Sequence, residues 1–244
     1  MAERGVWLIA APATATGRAH ASAQLGLTLR SVLLSPRAGF ASVFASARTK
    51  ERTGARLAEG LAPYVLAAID GMALMILWLK LGSLLGLRDV AAADFRWSFL
   101  VIALVAGALL ALVAQLIWGY VGAAVIRALG EHAPARDLRV AWGASAFPQV
   151  IALFVLLPLD LLIVGTDSFT SERLDDQLAT GWAALSIAFS ASLVVWSTFI
   201  FVRGVEVAAS TTVIKAIGLS LVALVCLAAI VGGSIAGAAA LGGA

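Results

Sequence analysis

The chain has 244 residues, of which 61% are hydrophobic and only 13% charged, with a formal net charge of +3. A soluble domain keeps about 25% of its residues charged to face water, so this composition excludes one and points to a chain built for a bilayer. The single cysteine, Cys226, excludes a disulfide within the chain.

Residues 1–22, rich in Ala, Thr and Gly, read as a disordered tail. They resemble a signal peptide in having a basic residue and an Ala-x-Ala-like end. The apolar core from Val6 to Ala11 stops at Pro12, however, short of the ~7–15 residues that such a peptide needs.

Residues 23–60 form a basic amphipathic segment. Leu25, Leu29, Val32 and Leu33 share one helical face, with Arg30 off it. After a break, Ser35 suits an N-cap and Pro36 the first helical position. Phe40, Val43, Phe44 and Ala47 then make a second stripe, with Arg37, Arg48 and Lys50 around it. Short basic helices ahead of a span suit an anionic membrane surface, where each nearby Lys or Arg contributes ~1 kcal/mol. The same stripe also serves for packing against the ends of the spans. Arg30, Arg37, Phe40, Phe44, Arg48 and Lys50 are accordingly the expected contacts to anionic lipid or to a protein partner.

Residues 61–244 read as a domain of five spans. A bilayer core needs ~20 helical residues, and 61–79, 97–126, 140–165, 177–202 and 216–244 supply them. These stretches are apolar around their whole circumference, unlike helices of a soluble core. Between them the arginines and lysines alternate. Eight precede the first span, Arg127, Arg136 and Arg139 lie between the second and third, and Arg203 and Lys215 lie between the fourth and fifth. The other side holds only Arg88, Arg96 and Arg173. The positive-inside rule then places the N-terminus in the cytoplasm and the C-terminus outside.

Charges inside the spans are few. Asp70 lies nine residues past Leu61, ~13 Å deep at 1.5 Å per residue and close to mid-membrane. Lys80 falls at the outer interface, where its stem can snorkel to water, and Asp160 also lies near the outer end of its span. Gln115 and Gln149 come to a depth of roughly 15–18 Å, and Ser190 and Ser192 to a similar level. Asp70, Gln115 and Gln149 are thus the candidate members of an intramembrane polar layer. Ala67 and Gly71 beside Asp70 form a face of small residues that lets another helix approach closely. Such an acid either ties a bundle together by hydrogen bonds or serves a proton or cation pathway.

Other features are less specific. Pro148 and Pro158 interrupt the third span, which bends at one of them or at neither. Gly233 and Gly237 in the last span suit a homo-oligomer contact or close packing within the bundle. The acidic outer loop with Asp167, Glu172, Asp175 and Asp176 lacks the turn glycine and terminal glutamate of a calcium loop. Trp97, Trp118, Trp142 and Trp182 fit an aromatic belt near the span ends. His20 and His132 have no ligand-spaced partners, and no phosphate loop, zinc-protease run or nucleophile elbow occurs. We therefore expect no enzymatic activity, cofactor, metal or nucleic acid.

The segment "LLSPRAGFASVFASAR", the opening "AWGASAFPQVIALFVLLPL" of the third span and "VVWSTFIFVRGVEVAASTTVIKAIGLSL" joining the last two occur in this order. In this order the chain resembles the bacterial branch of the Yip-one family, the Ypt/Rab-interacting membrane proteins, over most of residues 31–235. Pro148, Trp196 and Arg203-Gly204 carry the likeness. The resemblance implies an all-α polytopic protein, with five transmembrane helices after cytoplasmic amphipathic helices and no catalysis. Eukaryotic members carry an Asp-Leu-Tyr-Gly-Pro type motif near their spans that is missing here, so their Rab role is not carried over. Arginine-heavy basic usage with abundant Ala and Gly suggests a GC-rich bacterial genome and hence the inner membrane. The expected role is membrane organisation or partner binding through the basic N-terminal segment. The alternative is a small permease or ion- or proton-coupled transporter using Asp70.

Overall fold

The computed structural model describes residues 31–51, 58–84, 97–169, 177–222 and 224–225. Among these residues the only regular elements are helices. Helix α1 spans Pro36–Glu51, α2 Ala58–Leu84 and α3 Trp97–Ala128. Helix α4 spans Ala135–Ser145 and is followed after a turn by α5, Gln149–Ile163. A 3-10 turn at Gly165–Phe169 precedes α6, Gln177–Ala208, and α7 begins at Val213–Val222.

Helices α2, α3 and α6 are long and apolar enough to cross a membrane, and the bent pair α4 and α5 makes a fourth crossing when taken as one broken span. Their outer faces carry Leu, Val, Ile and aromatic side chains exposed from the bundle, the inverse of a soluble helix. These are the helices of a membrane protein. The expected fifth span, 216–244, lies for the most part outside the described residues, as does the tail 1–22.

The third expected span is not one straight helix. It starts five residues early, at Ala135, and breaks between Ser145 and Gln149 with a bend of 43°. Pro148 has no N–H to continue the ladder, so the chain turns through shorter bonds, Ala146 N–H to Gly143 O and Phe147 N–H to Ala144 O. Pro158 is absorbed without a break. The turn before it, Ala152–Leu156, is a π-helix, in which Leu157 N–H donates to Ala152 O and leaves room for the proline ring.

Helices α2 and α3 pair antiparallel along the most extensive contact of the bundle. Gly71 and Gly107 set its distance, since a methyl on either would overlap the carbonyl oxygen of the other. This is the close approach that the small face at Ala67 and Gly71 anticipates. Gly143 does the same for α4, whose backbone rests on Pro63 of α2.

Two apolar cores follow. One, toward the end that carries α1, gathers Phe40, Phe44, Trp118, Leu138, Ile200 and Val205 among others. The second, toward the opposite end, is built around Ile76, Leu100, Leu153 and Leu193. Trp118, Trp142 and Phe201 bring three helices together with ring centroids 5.1–5.7 Å apart. Trp118 is thus a core residue and not part of an interfacial belt, because Trp142 of α4 and Phe201 of α6 enclose its indole.

Candidate functional site

Helix α1 packs against α6. Ser35 O accepts the N–H of Gly39, as the carbonyl of an N-cap residue does, and so starts the helix. Its stripe turns inward, with Phe40 wholly buried and Phe44 nearly so, stacked at 5.7 Å. The Phe40 ring reaches Gly204 of α6, where any β-carbon would press on it and on Ala141 of α4. The two phenylalanines therefore contact protein and leave no ring for a lipid surface.

Arg37 stays outside, its side chain 76% exposed, 3.6 Å from the buried carboxylate of Glu206. Glu206 also accepts from Arg203 at 2.9 Å, and Lys215 of α7 reaches Glu131 at 3.0 Å. Arg127 and Arg136 project at the same end. Arg30 lies outside the described residues, and so do the side chains of Arg48 and Lys50, whose backbone belongs to α1.

The polar groups of the spans do not form one layer. Gln115 is wholly buried and donates from Nε2 to Arg139 O at 2.9 Å and to Pro63 O at 3.2 Å, tying α2, α3 and α4 at one point. Register explains why it misses Asp70. With Gly71 opposite Gly107 and Ala111, residue 115 falls one to two turns nearer the α1 end. Gln149 turns to Ser197 of α6 at 3.4 Å. Ser190 is buried, while Ser192 bonds its own helix at Ala188 O.

Asp70, at the middle of α2, is half-buried and has no hydrogen-bond partner among the described residues. It lines a groove of about 460 Å³ between α2 and α3 that is otherwise apolar. Gly71, Gly107, Ala111 and Ala114 lie along it, and Trp142 stands at the Asp70 end. Trp78 and Leu110 form part of its walls and are 61% and 62% exposed, so the groove opens sideways from the bundle.

The strongest polar cluster is one that sequence depth alone did not assemble. Lys80 does not snorkel to water. It is buried and ion-paired with Asp160 of α5, their side chains 6% and 2% exposed. Lys80 also donates to Ser186 of α6 at 3.1 Å, and Trp182 Nε1 donates to Asp160 at 3.0 Å. The cluster joins α2, α5 and α6. The available signal was that the first and third spans each hold one charge toward the outer side, and that the two are opposite.

Among the described residues no group of His, Cys, Asp and Glu could hold a metal ion. Trp118 Nε1, Gln115 Oε1 and Arg139 Nε are buried without a partner atom. The arrangement offers binding and tethering chemistry: a fixed basic end, a saturated ion-pair knot and one carboxyl facing an apolar groove. Comparison with protein-family models, curated proteins and solved structures gives no match, so the Yip-like reading rests on the sequence pattern alone.

Proposed function

We propose that this is a non-enzymatic protein of Yip-like type in the bacterial inner membrane, with α1 and the N-terminus on the cytoplasmic side. In this reading it organises the membrane or binds a partner through a basic surface that α1 presents. The observation that carries it is the seating of α1. Phe40 and Phe44 anchor the helix to α4 and α6, while Arg37, beside Glu206, keeps 76% of its side chain exposed. A helix fixed in this way holds its cations at the surface without spending its apolar face on lipid. Arg127, Arg136 and Lys215 extend the same basic rim, and each cation near an anionic leaflet adds ~1 kcal/mol.

The test is lipid selectivity of the full chain in nanodiscs of mixed phosphatidylcholine and phosphatidylglycerol. The protein should retain phosphatidylglycerol preferentially, and rising salt should erase the preference. Removal of residues 23–56 should abolish it while insertion persists. Because that deletion also uncovers the seat at Gly204, the triple neutralisation Arg37→Gln, Arg48→Gln and Lys50→Gln is the sharper variant. Equal retention by wild type and the triple variant would count against the reading.

A permease built on Asp70 is the second reading, favoured by the lack of a bonding partner for that carboxyl among the described residues. It predicts that Asp70→Asn inserts and folds normally but loses an ion- or proton-coupled flux in proteoliposomes. An unchanged flux removes it. The apolar lining of the groove, which opens sideways, offers little to a hydrated ion.

A further inference from the structure

The acids of the bundle differ in one respect. Asp160 holds Lys80 and Trp182, and Glu206 holds Arg203 and Arg37. Asp70 holds nothing among the described residues, yet it sits where water is scarcest. A carboxyl in hydrocarbon is costly unless it is paired, and lipid tails carry no donor. What fills the groove beside it should therefore bring one.

We propose that the groove between α2 and α3 receives a transmembrane helix of a different protein, carrying one lysine or arginine at mid-span that pairs with Asp70. This inference does not depend on the basic surface of α1. The groove runs along α2 from Asp70 to Leu81, about three turns or ~16 Å, the length over which two crossing helices touch. Ala111 and Ala114 keep the floor of the groove low, while Leu74, Trp78 and Leu110 offer exposed apolar surface for packing.

Charge complementarity narrows the occupant further. A second copy of this chain is a poor match, because its cations lie toward the ends of its apolar stretches, and Lys80, the one nearest the groove, is already paired with Asp160. An alkylamine is a poor match as well, since its ammonium stays at the interface while Asp70 lies ~13 Å inward. A helix can hold a cation at that depth, because its backbone is already bonded internally.

The experiment uses the full chain in phosphatidylcholine nanodiscs, with a donor dye on the N-terminal amine. The probe is a leucine-alanine transmembrane peptide of ~22 residues that carries an acceptor dye and either lysine or leucine at its centre. Energy transfer should show the lysine peptide associating about tenfold more tightly than the leucine peptide. The difference should vanish in Asp70→Leu. Leu110→Trp narrows the groove from its exposed wall without touching the carboxyl, and it should weaken both peptides. An unchanged elution profile for Leu110→Trp keeps the test valid even where Asp70→Leu fails to fold. Equal association of the two peptides with wild type, or undiminished binding of the lysine peptide to Leu110→Trp, overturns the proposal. So does dodecylamine binding that depends on Asp70 while the lysine peptide stays free, which gives the groove to an amphiphile. Dimerisation that depends on Asp70 in the absence of peptide overturns it too, by giving the groove to a second copy.

Discussion

Replacing Lys80 with leucine removes the cation that Asp160 and Ser186 share, while the remaining volume suits the apolar wall of the second core. Asp160 then keeps only the N–H of Trp182 at 3.0 Å. Removing one member of a buried ion pair costs ~3–5 kcal/mol, because the other charge stays buried without compensation. The bond from Trp182 is the one remaining offset, so Lys80→Leu should lose about 3 kcal/mol, the lower end of that range. Asp160→Leu should lose a comparable amount, since it leaves Lys80 with Ser186 alone. The double variant should lose only ~1–2 kcal/mol. An apolar pair replaces an ionic one nearly without penalty, leaving the indole N–H and the serine hydroxyl to account for the loss. The cycle therefore predicts a coupling of about 4–5 kcal/mol between positions 80 and 160. Equilibrium unfolding in mixed micelles with rising dodecyl sulfate, followed by circular dichroism, measures all four proteins. Losses that add to within ~0.5 kcal/mol would refute the pairing, as would a Lys80→Leu protein as stable as wild type.

Three further outcomes follow from named contacts. Phe40→Ala opens a cavity beneath α1 and should cost ~3–5 kcal/mol of local stability, seen as faster proteolysis within residues 36–51 while the spans stay resistant. Gly107→Ala places a methyl against the Gly71 carbonyl and should destabilise the α2–α3 pair by ~1–3 kcal/mol, whereas Gly82→Ala, which meets open space, should be silent in the same unfolding assay. Gln115→Leu removes two hydrogen bonds but also an unpartnered buried oxygen, so its net loss should stay near ~1 kcal/mol and the bend between α4 and α5 should persist in hydrogen-exchange protection.

The spans were legible because helices apolar all round have no other environment in which to sit. The break at Pro148 was legible only as one of several options, since a membrane helix accommodates proline in more than one way. Phe40 and Phe44 were readable as one face of a helix, but amphipathicity is the same whether protein or lipid covers it. Depth counting placed Lys80, Asp160 and Gln115 along their helices and left rotation undetermined. A side chain's partner is set by rotation, so Lys80 was assigned to water and Gln115 to the neighbourhood of Asp70. Counting depth also assigned Trp118 to an interface, because it says nothing of the helices α4 and α6 that pack over that end of α3. Gly71, by contrast, was readable, since a small residue beside a buried acid has few uses other than close approach.

The seating of α1 carries a consequence for biosynthesis. Phe40 emerges from the ribosome early, while its seat at Gly204 is made 164 residues later in the chain. At about 5–20 residues per second the interval is on the order of ten seconds. Over that time both rings of α1 are exposed at the membrane surface and need a temporary host, which the nascent bilayer contact or a chaperone supplies. Closure of α1 onto α6 then waits for α6, and it marks a chain in which that helix is in place.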